Sequence, residues 1–387
     1  MTDQRQLSEL NSDERGRYAR HLTLPELGLA GQTRLKAASV LCIGAGGLGS
    51  PLLLYLAAAG IGRLGIVDDD RVDLSNLQRQ VIHGQASVGE AKTSSARWRI
   101  QDLNRHCQVE EHSCRLTAEN ALQLIEAYDL VVDGSDNFPT RYLISDACVM
   151  LGRPFVYGSV QRFEGQVTVF NQGPDSPDYR DLVPQPPPRD LVPSCAEGGV
   201  MGVMPGLIGL LQATEVIKVI TGLGDTLDGR LLLVDSLSMR FRELRLERRP
   251  DRAPVENLVD YEQFCNPGVP VEDEESQGMN SISVRELKAL LDERTDLVLL
   301  DVRQQAEADV AVIPGSQLIP LASIESGDAI ERIRLLASGQ AVYVHCKLGG
   351  RSAKAVDLLA RSGILAVNVT GGIDAWSQDV DSSVPRY

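Results

Sequence analysis

Cysteine is sparse and scattered: seven in 387 residues, at positions 42, 107, 114, 148, 195, 265 and 346. That is too few, too dispersed, for a disulfide scaffold. No two form a Cys-x-x-Cys pair and histidine numbers only five, so a structural zinc site is hard to build. Cations are in deficit as well: Lys plus Arg is 38 against 53 for Asp plus Glu, a formal net charge of -15. Holding a nucleic-acid backbone relies on excess Lys and Arg, so nucleic acid is excluded as the main partner. The same deficit argues against an anionic membrane surface. A long uninterrupted apolar run is missing too. The most apolar stretch, residues 198–222, carries Glu215, Lys218 and several glycines, and it reads as a buried helix rather than a membrane span. Residues 1–16 are polar and charged, unlike a signal peptide. A soluble, reducing, cytoplasmic setting is expected.

What is present is enough for a core: 43% of the residues are apolar. At roughly 150 residues per domain the length suggests two domains or three. The first strong pattern is Ala38-Ser39-Val40-Leu41-Cys42-Ile43, then Gly44-Ala45-Gly46-Gly47-Leu48-Gly49, then Ser50-Pro51 and an apolar run over 52–59. It reads as strand, glycine loop and a helix with proline at its start, ended by Gly60. Leu64-Gly65-Ile66-Val67 closes on Asp68, Leu130-Val131-Val132-Asp133 precedes Gly134-Ser135-Asp136-Asn137, and Phe155-Val156-Tyr157 is a further strand. Strands alternating with helices predict a parallel α/β sheet over this stretch, and the fold expected of the first domain is α/β, Rossmann-like, with a mixed sheet. Seven prolines between 171 and 193 predict a long surface crossover loop. Residues 266–280 hold Pro267, Gly268 and Pro270, then Glu272, Asp273, Glu274 and Glu275, the composition of a solvated linker. The expected layout is a first domain over 1–265, an acidic flexible linker over 266–280 and a smaller α/β domain over 281–387.

A glycine loop lets backbone amides and a helix N-terminus approach phosphate oxygens closely. Asp68, about 20 positions on, would suit ribose hydroxyls. Alone, the obvious reading of the pattern is a dinucleotide-binding dehydrogenase. Ser75-Asn76-Leu77-Gln78-Arg79-Gln80 and Lys92 shift the balance. Two cations near a phosphate loop suit a triphosphate under attack better than a pyrophosphate that stays intact.

Here a resemblance becomes specific. Arg17-Tyr18-Ala19-Arg20-His21, the loop from Gly44 to Gly49, Ser75 to Gln80, Asp136-Asn137 and Ser194-Cys195-Ala196-Glu197-Gly198-Gly199-Val200 occur in this order. Together they resemble the MoeB/ThiF family of ubiquitin-activating-enzyme-like adenylyltransferases. The full layout resembles MoeZ-type proteins, in which a rhodanese domain follows. Leu258-Val259-Asp260-Tyr261-Glu262-Gln263-Phe264-Cys265 belongs to the same resemblance. It implies ATP with Mg²⁺, and adenylation of the C-terminal glycine of a small ubiquitin-like sulfur carrier protein ending in Gly-Gly. It assigns Gly44, Gly46, Gly47 and Gly49 to the nucleotide and Asp68 to the ribose. Asn76, Arg79 and Lys92 go to the phosphates, and Asp136, beside Asn137, to Mg²⁺. Arg20 would reach across from the second subunit of a homodimer. Cys195 matches a cysteine proposed in some relatives to form a thioester or acyl disulfide. Relatives often hold zinc with two Cys-x-x-Cys pairs; the corresponding places here are Asp178, Asp181, Ala253 and Glu256. No zinc is expected, and that region should be held by packing alone.

In the second domain, Tyr343-Val344-His345 leads into Cys346-Lys347-Leu348-Gly349-Gly350-Arg351-Ser352 and a helix. The cysteine stands at a strand end, below backbone amides and a helix N-terminus. Those amides, Lys347 and Arg351 should favour the thiolate and cradle the extra sulfur of a persulfide. Asp301-Val302-Arg303, Ile313-Pro314-Gly315 and Gly371-Gly372-Ile373-Asp374-Ala375-Trp376 complete a resemblance to rhodaneses, though the histidine common before the Ile-Pro-Gly is Val312 here. Rhodanese-like phosphatases place five residues between Cys and Arg; four, Lys347 to Gly350, lie between Cys346 and Arg351. The smaller loop suits sulfur better than phosphate. Cys42, Cys107, Cys114, Cys148 and Cys265 lack such a setting and are taken as structural.

The expected chemistry is adenylation of the carrier, then transfer of sulfur from a Cys346 persulfide to give a C-terminal thiocarboxylate, with Cys195 as a second thiol. The sulfur donor is either thiosulfate or a cysteine desulfurase. Two other classes stay open: a catalytically silent docking module for the carrier, and a nicotinamide-dependent oxidoreductase fused to a rhodanese.

Overall fold

A computed structural model of the chain describes residues 9–187, 199–250, 254–265, 281–293 and 296–387. It divides into two compact units, Met1–Val269 and Pro270–Tyr387. The expected linker, 266–280, lies outside the described residues.

The first unit is built on eight strands: β1 (Ser39–Ile43), β2 (Arg63–Val67), β3 (Gln108–His112), β4 (Leu130–Asp133), β5 (Phe155–Gln161), β6 (Glu164–Phe170), β7 (Arg230–Asp235) and β8 (Arg240–Arg245). They lie in the order β3-β2-β1-β4-β5-β6-β7-β8. The pairs from β3 to β5 are parallel, and those from β5 to β8 antiparallel. β1 is central and buried throughout, with Val40, Leu41 and Cys42 at 0% exposure. Such a strand needs a continuous apolar run rather than an alternating one. The chain departs from β1 toward β2 on one side and is joined by β4 on the other. That reversal leaves a crevice at the carboxyl ends of β1 and β4, where α/β sheets take their ligands.

The helix Val203–Thr221 is long and apolar enough to cross a membrane by length and composition. Here it packs on the sheet, burying Met204, Ile208, Ala213 and Val216 against the core that holds Leu52, Leu53 and Leu56. Burying each large aliphatic side chain contributes about 1.5–3 kcal/mol. Glu215, which marks the helix as buried protein, accepts from the Leu227 amide at 2.7 Å and pairs with Lys218 at 2.5 Å.

Among the described residues of the proline-rich segment is the short helix Tyr179–Leu182. Asp178 caps it, accepting from the Arg180 amide at 2.9 Å, and Asp181 accepts from the Asp178 amide at 2.9 Å and the Arg249 amide at 3.0 Å. Arg180 grips Asp146 through two bonds of 2.8 and 2.7 Å. The expectation of packing alone is therefore corrected: carboxylates at two of the four places fasten this region by hydrogen bonds. Glu256 is exposed, and Ala253 lies outside the described residues.

The second unit has five parallel strands, β9 (Ser281–Ile282), β10 (Leu297–Asp301), β11 (Gln317–Leu318), β12 (Ala341–His345) and β13 (Ala366–Val369), in the order β11-β10-β12-β13-β9. The helix Gly350–Arg361 follows β12 after the four residues Cys346 to Gly349 and buries Ala355, Val356 and Leu359.

Candidate active site

At the carboxyl ends of β1, β2 and β4 lies a cavity of about 400 Å³, within the range of small-ligand sites. Gly44, Gly46, Gly47, Asp68, Arg79, Lys92, Asp136 and Asn137 all line it. Residues 90 positions apart converge because parallel strands deliver their carboxyl ends to one edge. Gly49 starts the helix Gly49–Ala59 behind the loop. A Cβ there would stand 2.1 Å from the Gly44 carbonyl oxygen, so no side chain fits where helix and loop close on each other.

Asp68 accepts from the Ala45 amide through Oδ2 at 2.8 Å and from the Asp70 amide through Oδ1 at 2.9 Å. Burial pushes its carboxyl above the usual range. Each oxygen keeps a further lone pair for a ligand hydroxyl. Lys92 is only 6% exposed yet reaches the cavity, where Nζ meets Asp70 at 2.7 Å. An ammonium has three N–H groups. Arg79 donates to the Ser75 carbonyl at 3.2 Å. Asp136 is exposed at the rim, and Asn137 caps the helix Phe138–Leu151 by accepting from the Thr140 amide at 2.9 Å.

Three assigned residues do not line the cavity: Gly49, at the helix start behind the loop, Asn76 and Arg20. Asn76 ends the turn Leu74–Asn76, accepts from the Asp73 amide at 3.3 Å and is not among the residues lining the cavity. Arg20 is exposed on the short helix Ala19–Leu22, also outside the cavity. Cys195 lies outside the described residues.

The cavity holds groups that sequence reasoning passed over. Arg141, 6% exposed, lines it and donates to the Ser135 carbonyl at 3.2 Å, with Nε 3.5 Å from the fully buried Asp133. Asp133 in turn accepts from the Ser135 amide and hydroxyl at 2.8 and 2.6 Å. Burial pushes its carboxyl up to about 6. The turn that presents Asp136 is thus pinned from below by an ion pair. Cys114, taken as structural, also lines the cavity. Cys42 and Cys148 fit the structural reading: both are wholly buried and burial pushes their thiols far up.

In the second unit Cys346 follows β12 and is 1% exposed. Its Sγ accepts from the Gly349 amide at 3.0 Å and from the Ser352 hydroxyl at 3.4 Å. Gly349 holds φ at +108°, backbone that an L side chain rarely adopts, and this bend turns its amide back onto the sulfur. The two neighbouring cations are engaged by other groups. Arg351 forms a two-pronged pair with Glu307, both distances 2.7 Å. Lys347 Nζ lies 4.5 Å from the centre of the Tyr387 ring. Tyr387 also bonds Arg303 and Glu307 through its hydroxyl. Glu307 and Tyr387 were absent from the sequence reading.

A model of the ThiF family matches residues 18–255, and one of the rhodanese-like domain matches 283–379. The chain belongs to the ThiF family, with a rhodanese-like domain after the ThiF domain. It is 48% identical over 387 residues to the probable adenylyltransferase/sulfurtransferase MoeZ of Mycobacterium tuberculosis, covering 98% of this chain and 97% of that one. It is 46% identical to the adenylyltransferase and sulfurtransferase MOCS3 of Sus scrofa, over 98% of this chain and 89% of that one. The solved structure of E. coli MccB matches 65% of this chain and 75% of its own with a TM-score of 0.57 at 20% identity, a likeness of fold. This ThiF-family chain is an enzyme of the adenylyltransferase and sulfurtransferase class. Neither the silent docking module nor the nicotinamide oxidoreductase finds support among its relatives.

Proposed function

We propose that the chain uses Mg-ATP to adenylate the C-terminal glycine of a small ubiquitin-like sulfur carrier ending in Gly-Gly, and then transfers sulfur from Cys346 to give a thiocarboxylate. The observation that carries this reading is the convergence of Arg79, Lys92 and Asp136 on the glycine-loop cavity. A carboxylate attacking the α-phosphorus brings two anions together, and fixed cations offset that repulsion and the charge gathering on pyrophosphate. The bond from the α-phosphorus to the bridging oxygen breaks and pyrophosphate leaves. Asp68 would hold the ribose, and the amides of the Gly44–Gly49 loop the phosphates.

The cavity suits Mg²⁺: Asp136 lines it, and the carboxylates of Asp68, Asp69 and Asp70 lie within 4.8 Å of one another at its wall, hard oxygen donors of the kind the ion prefers. When bound, the ion neutralises phosphate charge. Asp136 would hold it.

The Cys346 thiolate attacks the outer sulfur of thiosulfate, releasing sulfite, or of a cysteine desulfurase persulfide, releasing that enzyme's thiolate; the Gly349 amide and Ser352 hydroxyl stabilise the resulting persulfide anion. The terminal persulfide sulfur attacks the acyl carbon, AMP leaves, and an acyl disulfide forms. Cys195 then attacks the Cys346 sulfur, releasing the thiocarboxylate and leaving a Cys195–Cys346 disulfide that a cellular dithiol reduces. The proposed domains are 1–265 and 281–387, joined by the acidic linker 266–280. Arg20 serves the neighbouring subunit of a homodimer, in the cytoplasm.

The test is the intact mass of a Gly-Gly carrier after incubation with the full chain, Mg-ATP and thiosulfate, beside Cys346→Ala. Exchange of one carrier oxygen for sulfur, lost in the variant while pyrophosphate release persists, is expected. Absence of pyrophosphate release with every Gly-Gly carrier would sink the adenylation claim.

A further inference from the structure

Behind the glycine loop sits a buried histidine that lines no part of the cavity. His83 is 8% exposed. Its Nε2 lies 2.9 Å from the Ala45 carbonyl oxygen and its Nδ1 2.9 Å from the Ser95 hydroxyl. A carbonyl only accepts, so Nε2 carries the proton and Nδ1 accepts from Ser95. Burial lowers the imidazole from its ordinary range, in keeping with a neutral ring bearing one N–H.

The ring joins two pieces of chain that the sequence keeps apart. One is the loop after β1. The other is the first turn of the helix Lys92–Leu103, where Ser95 sits three residues beyond Lys92. On its other side Ala45 donates its amide to Asp68 Oδ2 at 2.8 Å. Both peptide units flanking Ala45 are therefore fixed, one through its N–H and the next through its C=O. A peptide is planar and trans, so its C=O and N–H point in opposite directions. Holding the Ala45 carbonyl on His83 turns the Gly46 amide away from the imidazole. Gly46 and Gly47 line the cavity, whereas Ala45 and His83 stand behind it.

We infer that His83 is a positioning residue for nucleotidyl transfer: it aims the Gly46 amide at the nucleotide's phosphates and sets the spacing between that amide and Lys92. The inference rests on the adenylation reading above. Phenylalanine would fill the same space without the clamp. Glutamine could still donate to the Ala45 carbonyl.

The experiment compares the full chain with His83→Phe, His83→Gln and Ser95→Ala by titration calorimetry with Mg-ATP and, separately, with adenosine. Neither ligand needs the carrier. His83→Phe should weaken Mg-ATP binding about 10-fold, the worth of roughly one hydrogen bond, and leave adenosine affinity within about twofold, since the clamp acts on the phosphates. His83→Gln should recover a substantial part of the loss, and Ser95→Ala should show a smaller effect of the same sign. In pyrophosphate exchange the KM for ATP should rise with kcat nearly unchanged. Parallel loss of ATP and adenosine affinity, unchanged ATP affinity, or a Gln variant no better than Phe would overturn the inference. A Phe variant that fails to fold leaves Gln and Ser95→Ala to decide it. A wild-type chain that binds Mg-ATP but releases no pyrophosphate defeats the adenylation reading alone. One that binds no Mg-ATP defeats both.

Discussion

Arg351 and Glu307, 44 residues apart, are joined by two parallel hydrogen bonds of 2.7 Å. The pair ties the first turn of the helix after Cys346 to the short helix Gln305–Ala308. Burial, the largest single influence, raises the Glu307 carboxyl, but the bonds from Arg351 and the Gln304 amide, with the charges of Arg351 and Arg303, together hold it below its ordinary value. Arg351 thus braces the sulfur loop through Glu307. Glu307→Gln leaves one charge of the pair unmatched and should cost the second unit about 2 kcal/mol. The chain contains two tryptophans, Trp98 largely exposed and Trp376 buried at 3%. Red-shift of Trp376 emission in urea therefore reads this unit, and an unchanged midpoint would show the brace to be idle.

The sulfur of Cys346 receives one backbone and one hydroxyl donor. The Ser352 hydroxyl lies equally within reach of the Gly349 carbonyl at 3.0 Å, so its single proton can turn to the sulfur when charge develops there. A donor to an ionised acceptor is worth more than one to a neutral group. Ser352→Ala should slow sulfur uptake from thiosulfate about 10-fold. Pyrophosphate release from the first unit should be untouched. Equal loss in both half-reactions would point to misfolding instead.

Lys92 combines near-complete burial with a place on the cavity wall and a single ion pair to Asp70. Lys92→Ala removes a fixed cation from the place where charge gathers during pyrophosphate release. Turnover in pyrophosphate exchange should fall about 10²–10³-fold. Sulfurtransferase activity toward thiosulfate in the same full chain should persist. Retention of exchange within tenfold would remove Lys92 from the chemistry.

The glycine loop, Asp68, Arg79, Lys92 and Asp136 were legible in the sequence because each sits within a few residues of a strand end, and strand ends meet at one edge of a parallel sheet. Asn76 does not line the cavity, for a local reason: the Asp73–Asn76 turn uses its side chain as a cap. Arg20 was assigned to a neighbouring subunit, and the single chain keeps it away from the cavity. His83, Arg141, Glu307 and Tyr387 carried no signal. Their partners are Ala45 at 38 positions, Asp133 across a turn, Arg351 at 44 and Arg303 at 84, and nothing in a linear reading says which buried polar groups will meet. The antiparallel half of the first sheet was equally hard to place, since β7 and β8 follow a long helix and β8 is exposed along its whole length.

His345, directly before Cys346, is fully buried 3.9 Å from Asp301. Burial is the leading cause that lowers its pKa from 6.5 to about 4, with Arg303 adding to it and Asp301 opposing. The unfolded chain therefore binds a proton between pH 6.5 and 4 that the folded unit refuses. Stability from this group is complete above pH 6.5 and is lost as pH falls toward 4, by about 3 kcal/mol over the window. Urea midpoints read from Trp376 should drop across that range in the full chain. His345→Asn, which cannot titrate, should flatten the dependence even if it lowers stability at pH 7. A midpoint that falls equally in the variant would place the acid sensitivity of the sulfur-loop unit in another group.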